Sequence, residues 1–355
     1  NELMTSKKYS LVSDPANVST QYRKLFTSES VFTQEVIWAR VYNAELNATH
    51  NLNSNFIVQQ YGSYSLTKQF INTYLNLDGS RFTDKPGYEK TAFIDEFENR
   101  DYRLMQTVRY PGYTRKNNGT DTRYAPDFGY CVTGYQPIKW VIDDTSMDSN
   151  TAPCATSIPI LRYAEVLLNY AEAKAELGEF SETVWNATIK LLRERAGVDG
   201  AMPSAYDPYM AEYFLNTTTD MAILEIRRER GIELLLENCR WDDDMRWHMG
   251  DLLTSDNNPW TGIWIGNTGY TYDFTGQSTD DNGDPVPDFY IRPGEDTEHS
   301  IAISNTGANQ TFSLNAAGNI VWEYKRTWGE KKYLRPIPQT AITRNPNLEQ
   351  NALWK

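Results

Sequence analysis

Three glutamates, Glu229, Glu233 and Glu237, recur four residues apart in a segment with helical periodicity. That spacing stacks them along one side of a helix. Two carboxylates about 5.5 Å apart can hydrolyse a glycosidic bond, but they must flank the bond. Glutamates on one helical stripe point the same way, so the pattern favours an ion-pair network over catalysis. The arginines expected to pair with them are Arg227, Arg228, Arg230, Arg240 and Arg246.

Two acidic runs invite a metal interpretation. Asp242, Asp243 and Asp244 lie near His248, but consecutive helical residues point about 100° apart and do not converge on one ion. We therefore expect a solvated or ion-paired surface there. The run Asp280–Asp284 is similar to the start of a calcium loop, yet it lacks the later glycine and glutamate of an EF-hand. An acidic turn is favoured, with a nonstandard calcium site as the alternative.

The common motifs of catalysis and cofactor binding are missing from the sequence. It contains no HExxH, GxSxG, P-loop or GxGxxG pattern, so we predict no cofactor and no nucleophilic triad. Aromatic residues, in contrast, make up 13% of the chain, with 23 Tyr and 10 Trp. Such rings pack while their polar tips stay solvated, which suits wet interfaces and the C–H faces of sugars. A tyrosine-rich core is the alternative interpretation.

Charge and length exclude several classes of protein. The 355 residues carry a formal net charge of −13, which repels nucleic acid and anionic lipid surfaces. No apolar run approaches the roughly 18 residues of a membrane span. Three cysteines are too few for a disulfide framework.

The elements that must position these residues are mainly helical. An apolar stripe predicts a helix over Pro159–Gly178, and a second helix follows over Ser181–Gly197, packed antiparallel to the first. Together they approximate one tetratricopeptide unit, which must pack on further helices to be stable. A third helix is predicted over Asp220–Glu237.

The remaining segments predict smaller elements. Tyr22–Phe26 and Lys68–Leu77 show helical spacing, and Val36–Tyr42 is typical of a strand. Residues 257–319 are rich in Gly, Asn, Asp, Thr and Ser, which predicts a long looped insertion with at most a short hairpin.

Several motifs resemble the SusD/RagB family, in the order in which that family has them. The run PILRYAEVLLNYAEA from Pro159 resembles its signature helix. RDYRL from Arg100 is similar to its R-D-P-R-L motif, with Tyr102 in place of Pro. RGIEL and ENCRW, from Arg230 and Glu237, resemble R-R-I-E-L and E-G-x-R-W, with Asn238 in place of Gly. YLRPIP from Tyr333 and NPNLEQN from Asn345 resemble its C-terminal ending.

The resemblance implies a mainly α, SusD-like fold of tetratricopeptide-type helix pairs, long irregular loops and minor β structure. Residues 1–355 would form one such domain that lacks the N-terminal helical part of the family. The implied role is capture of oligosaccharide at the cell surface and delivery to a SusC-type TonB-dependent outer-membrane transporter. The membrane attachment would be an N-terminal lipid anchor outside this chain. The alternatives are the same role for peptides or another nutrient, and a polysaccharide-acting enzyme.

The ligand loops vary among members of that family, so the site residues are expectations. The resemblance implies contacts from Asn43–Leu66, where Tyr61 and Tyr64 lie in a polar loop. Trp260 and Trp264 are predicted to be exposed-loop aromatics, because Pro259, Gly262 and Gly266 flank them. The alternatives are ordinary packing for the tyrosines and an anchor for the insertion in the case of the tryptophans. Part of the site is expected in the N-terminal region that the chain lacks.

Overall fold

The computed structural model describes residues 2–57, 64–124, 126, 131–264 and 311–355. Its helices are α1 (Glu2–Ser6), α2 (Val18–Thr27), α3 (Leu52–Ile57), α4 (Lys68–Ile71), α5 (Tyr102–Thr107), α6 (Tyr163–Glu176), α7 (Glu182–Ala187), α8 (Ile189–Arg195), α9 (Pro208–Tyr213), α10 (Met221–Glu233), α11 (Arg240–Arg246) and α12 (Gln339–Arg344). Its strands are β1 (Val36–Arg40), β2 (Thr114–Asn117), β3 (Thr120–Arg123), β4 (Ile158–Arg162), β5 (Trp260–Trp264), β6 (Thr311–Leu314) and β7 (Asn319–Glu323).

The described strands form small antiparallel sheets. β1 pairs with β4, β2 with β3, and β7 lies between β5 and β6. A two-stranded sheet is marginal alone, so the β1–β4 and β2–β3 pairs depend on the structure around them. The mainly α fold with minor β structure is therefore confirmed.

Helix α6 is central to the helical core. Its apolar stripe packs with Leu192 of α8 and with Leu234, just after α10. Leu167 is fully buried, as the predicted stripe requires. Gly178 has a φ of +68° and ends the helix, because glycine adopts left-handed backbone without a steric penalty.

The prediction that this helix begins at Pro159 is wrong. Residues Ile158–Arg162 form strand β4, in which Pro159 pairs opposite Ala39 and Arg162 opposite Val36 of β1. Proline lacks the backbone N–H and is tolerated in edge strands as well as in first helical turns. The pairing with a segment more than 100 residues away along the chain decides between the two.

The second predicted helix is present but interrupted. Ser181 caps α7 by accepting a hydrogen bond from the Val184 N–H at 3.4 Å, as expected. The helix then breaks at Thr188, whose buried hydroxyl donates to the Val184 carbonyl at 2.6 Å. The prediction of one continuous helix to Gly197 is therefore wrong, although α7 and α8 cover most of its length.

The other predicted elements are confirmed over shorter ranges. Asp220 caps α10 by accepting from the Ile223 N–H at 3.0 Å, but α10 ends at Glu233 and not at Glu237. The predicted helix Lys68–Leu77 is reduced to α4, which ends at Ile71. The predicted helical segment Tyr22–Phe26 lies within α2, and the predicted strand Val36–Tyr42 is β1, which ends at Arg40.

The predicted insertion over 257–319 is structured at its described ends. Strand β5 lies near its start, and β6 lies near its end, as part of the sheet. Residues 265–310 lie outside the described part of the chain, and so does the candidate calcium loop at 280–284.

Candidate functional site

The predicted glutamate triad lies in a buried ion-pair network. Glu233 is fully buried. Its Oε1 accepts from Arg162 Nη1 at 2.8 Å and Arg195 Nη2 at 2.5 Å, and its Oε2 accepts from Arg103 Nη1 at 3.0 Å. Burial alone would raise the pKa of Glu233, but Arg195, Arg162 and Arg103 together hold it well below the usual value of 4.5. The carboxylate is therefore occupied by guanidinium groups and closed to a substrate.

Its two neighbours are held in the same way. Glu229 accepts from Arg103 at 3.0 Å and from Arg193 at 2.8 Å. Glu237 accepts from Lys139 Nζ at 2.6 Å and from Arg162. Burial lowers the pKa of Lys139 to about 8, against the opposing effect of Glu237. The predicted ion-pair network is confirmed for these three glutamates.

The predicted arginine partners of the triad are wrong. Those five arginines lie elsewhere, and most pair with other acids: Arg228 with Asp207 and Glu225, Arg230 with Asp243, Arg240 with Asp244, and Arg246 with Glu172 and Asp243. The residues that hold the triad come instead from β4, α5, α8 and the 131–142 segment. Distant segments of the chain therefore supply the charges.

Acid is expected to destabilise this core. The folded-state pKa of Glu233 is depressed, so its contribution to stability is present above the unfolded-state value of 4.5 and is lost as pH falls below it. The pKa of Glu225 is also lowered: its burial acts in the opposite direction, but Arg228 and Arg193 outweigh it. Urea denaturation at pH 7, 5, 4 and 3 should give a free energy of unfolding that declines steeply only below about pH 4.5. A free energy of unfolding that stays constant down to pH 3 would contradict this prediction.

Two aspartates of the run near His248 are ion-paired, as predicted, but they are buried and do not form a surface. Asp243 and Asp244 are buried and held by arginines, whereas His248 stacks on Tyr333 with ring centroids 4.0 Å apart. Within the described part of the chain, His, Cys, Asp and Glu side chains do not gather in groups of three or more that would hold a metal ion.

Of the two predicted tyrosines, Tyr64 lies within the described residues. Tyr61 falls outside the described residues. Tyr64 is 45% exposed, and its ring centroid lies 5.0 Å from that of Phe56. Ser65 accepts from the Val132 N–H at 2.8 Å, which fixes the backbone next to Tyr64.

The predicted tryptophans are not loop residues. Trp260 and Trp264 are the ends of β5, and both are partly buried. Trp264 Nε1 donates to the Ala317 carbonyl at 2.6 Å, so this ring anchors the sheet. The expectation of exposed-loop aromatics is therefore wrong, and for Trp264 the anchoring alternative fits the structure.

Trp260 belongs to an aromatic face, which we define as Trp260, Trp322 and Tyr324. Trp260 pairs across the strands with Trp322, and their rings stack with centroids 4.4 Å apart. Tyr324 lies two residues after Trp322 and on the same side. Its ring lies 5.9 Å from that of Trp260 at an interplanar angle of 8°. Tyr324 is 55% exposed, so the face is open to solvent at one end.

An arginine fixes the other side of this face. Arg326 Cζ lies 4.1 Å from the centroid of the Trp260 ring. Its guanidinium donates to the carbonyls of Leu253, at 3.2 Å, and Asn258. The cation therefore holds the indole in place through cation–π contact, while backbone carbonyls bind its two terminal nitrogens.

Sequence analysis missed Trp322 and Tyr324. The signal was the run of β-branched and aromatic residues Ile320–Val321–Trp322, followed by Tyr324, which is typical of a strand. The glycine- and asparagine-rich composition around it favoured a loop instead. The pairing of this strand with β5 places Trp322 opposite Trp260 and so forms one continuous face.

The loop of Tyr64 and strand β5 are joined to one segment of backbone. The Val132 N–H donates to Ser65 Oγ at 2.8 Å, and the Thr133 carbonyl accepts from the Ile263 N–H at 2.9 Å. Gly262 lies so close that an added Cβ would approach the Thr133 carbonyl oxygen to 2.2 Å. Two regions predicted to carry ligand residues, the loop of Tyr64 and strand β5, therefore lie on either side of residues 132–133.

The sequence profile of the SusD family matches residues 34–354. The chain belongs to the SusD family. No protein among the curated sequences matches it. A SusD-like protein from Bacteroides fragilis is similar in structure, with a TM-score of 0.58 and 20% identity over 97% of this chain.

Other solved structures also resemble this SusD-family chain. A SusD superfamily protein from Parabacteroides distasonis has a TM-score of 0.48 at 18% identity, covering 99% of this chain and 55% of its own. Surface glycan-binding protein A from Bacteroides fluxus has a TM-score of 0.43 at 18% identity, covering 99% of this chain and 56% of its own. The chain covers 58% of the length of the Bacteroides fragilis protein. Among the described residues, no helix has the length and apolarity needed to cross a bilayer.

Proposed function

We propose that this SusD-family chain captures glycans at the cell surface and that the aromatic face contacts the sugar. The observation that carries the proposal is the stacked ring set of a SusD-family member, left open at Tyr324. Aromatic faces hold the C–H surfaces of sugars without requiring charge. The surrounding strand pairing keeps the rings in place before a ligand arrives, which reduces the entropy lost on binding.

Reversible capture fits this chain better than hydrolysis. The carboxylates of Glu229 and Glu233 are buried and bound by guanidinium groups. Neither is placed as a free acid or nucleophile beside the aromatic face. A polysaccharide-acting enzyme is therefore the weaker proposal. Measured release of reducing ends by the purified chain would favour it.

Delivery to a transporter completes the proposed role. We propose that the captured glycan passes to a SusC-type TonB-dependent transporter, with the protein held at the outer membrane by a lipid anchor. Membership of the SusD family supports this assignment. Co-purification of the lipidated protein with a SusC-type barrel from detergent-solubilised outer membranes tests it, and recovery of the protein without such a barrel contradicts it.

Binding is expected to fall when the aromatic face is reduced. Tyr324→Ala should weaken affinity by about 0.5–1.5 kcal/mol, the value of an aromatic contact, with little change in Tm because the ring is half exposed. Trp260→Ala should weaken it as much or more and also lower Tm, since Trp322 loses its stacking partner. Isothermal titration with an oligosaccharide selected on a glycan array measures both.

The control is Trp38→Ala, which removes a 63% exposed indole from β1, away from the aromatic face. Its affinity should equal that of the parent. Tyr64→Ala, in the same titration, tests the predicted contribution of the first loop. A steep loss of affinity with salt would indicate a charged ligand, and selection of peptides in place of glycans would favour the alternative nutrient. Parent-like affinity in both aromatic variants would remove the aromatic face from the site.

A further inference from the structure

Charge is distributed unevenly along the chain. Residues 325–355 contain seven lysines and arginines but only two acidic residues. Their formal charge of +5 contrasts with −18 for residues 1–324, and the two together give the net charge of −13. Salt screens charges that lie further apart than the Debye length, about 8 Å at physiological ionic strength. The repulsion of anionic surfaces expected from the net charge therefore applies to residues 1–324 and not to this basic segment.

The basic segment, residues 325–355, lies on the outside of the fold. The structure describes all of its residues, and none of them is buried. It is nevertheless fixed to the body of the protein, because Tyr333 Oη accepts from the Gly250 N–H at 2.6 Å. Trp328 packs so closely on Gly250 that an added Cβ would meet its indole ring. The segment is therefore an exposed but anchored part of the surface.

Side-chain amides close the basic segment on itself. Gln350 accepts from the Ile337 N–H at 2.8 Å and donates to the Ile337 carbonyl at 2.9 Å. Asn351 Nδ2 donates to the Arg335 carbonyl at 2.6 Å. These bonds bring the two ends of the segment together, so that its surface is formed before a partner arrives and less entropy is lost on binding.

An indole connects the two ends. Trp354 Nε1 donates to the carbonyls of Lys331, at 2.8 Å, and Leu334, at 2.6 Å. Lys331 Nζ lies 4.8 Å from the centroid of the same ring. Leu334 and Leu353, the residue before the tryptophan, are each 54% exposed. We define the basic patch as Lys331, Leu334, Arg335, Leu353 and Trp354.

The cations of the basic patch are available to an outside partner. Lys331 and Arg335 are exposed, and neither forms an ion pair with a described residue. The two acidic residues of the segment are directed elsewhere. Glu349 pairs with Lys355 at 2.8 Å, and Glu330 lies 3.4 Å from a histidine ring of the body. The patch therefore presents positive charge beside open leucines and a tryptophan.

We propose that the basic patch docks on an anionic lipid surface. This inference rests on the proposed location of the protein at the outer membrane. Tryptophan and leucine suit the boundary between headgroups and hydrocarbon, and lysine or arginine beside them adds attraction to anionic headgroups. A soluble anion would use the cations but not the leucines. A lipid surface is the partner that uses both.

Flotation with large unilamellar vesicles tests the docking on the purified chain. Binding is expected with vesicles of mixed phosphatidylglycerol and phosphatidylcholine, but not with phosphatidylcholine alone, and it should weaken as salt is raised. The double variant Lys331→Gln and Arg335→Gln should lower the partition coefficient about fivefold for each charge removed. Leu353→Ser should lower it roughly three- to tenfold, because apolar area no longer enters the boundary.

The matched controls remove the same groups outside the basic segment. Lys85→Gln with Lys90→Gln changes the net charge equally at two exposed positions. Leu46→Ser removes a leucine that is 77% exposed. Both controls should bind anionic vesicles as the parent does, and circular dichroism and Tm should show that every variant is folded.

Three results would overturn the docking proposal. The first is equal binding of the parent to neutral and anionic vesicles, or to neither. The second is binding to anionic vesicles that is unchanged in the basic-patch variants. The third is salt-sensitive self-association in sedimentation that these variants abolish without any vesicle binding by the parent, since the occupant would then be a second copy. Glycan titration of the same variants keeps the two proposals separate: affinity equal to that of the parent is expected, and failure of vesicle binding leaves glycan capture intact.

Discussion

Leu167→Asp is expected to lower the free energy of unfolding by roughly 4 kcal/mol or more, because it places a charge in a core without a partner. Leu167 is fully buried in α6 and packs in the cluster that includes Leu168, Leu192 and Leu234. The cluster around it is apolar, so the new carboxylate would lose its hydration on burial. Urea denaturation and Tm measure the loss.

The same substitution on the exposed end of this helix provides the control. Leu177 caps α6 and is 70% exposed, so Leu177→Asp should change stability by only a few tenths of a kcal/mol. Leu167→Ala should fall between them, at about 2–5 kcal/mol, since it leaves a cavity without adding a charge. Equal Tm values for Leu167→Asp and Leu177→Asp would refute the assignment of α6 to the core.

Local pattern was sufficient to predict the buried stripe of α6 but not its start. The periodicity of Ala164, Leu167, Leu168 and Ala171 is a property of neighbouring residues, and all four are buried. The strand at Ile158–Arg162 depends on pairing with β1, which nothing in the local sequence encodes. Proline is compatible with both structures, so only the tertiary contact distinguishes them.

Local sequence likewise predicts that the glutamates form ion pairs but not which arginines pair with them. Spacing showed that Glu229 and Glu233 share a helical side and favoured ion pairs. Their partners Arg103, Arg162 and Arg195 are brought together only by the fold. Nearby arginines on the sequence were the wrong choice because a helix directs its buried side toward other segments and not toward its own neighbours.

The candidate site was predictable only in part, for a related reason. Trp260 could be singled out by residue type, but its role depends on the register that places Trp322 opposite it.

Glu233→Gln is expected to destabilise the fold by roughly 3–5 kcal/mol, the cost of leaving buried charges without their counterion. Glu233 contacts Arg103, Arg162 and Arg195, and a neutral amide both removes the negative charge and turns an N–H₂ group toward guanidinium donors. Glu233→Ala should cost at least as much. The exposed pair Lys190–Glu194, with an N–O distance of 3.8 Å, gives the matched control, since Glu194→Gln should change stability by under about 1 kcal/mol.

The pH dependence separates this charge effect from a loss of packing. The free energy of unfolding of the parent should approach that of Glu233→Gln as pH falls below 4.5. Acid protonates the glutamate first in the unfolded state and then in the native state. The gap in the free energy of unfolding between the two proteins should therefore narrow at pH 3 relative to pH 7. A constant gap would mean that the side chain acts through shape alone. We expect neither the parent nor the variant to cleave polysaccharide. Hydrolysis by the parent that is lost in Glu233→Gln would show that this carboxylate is catalytic.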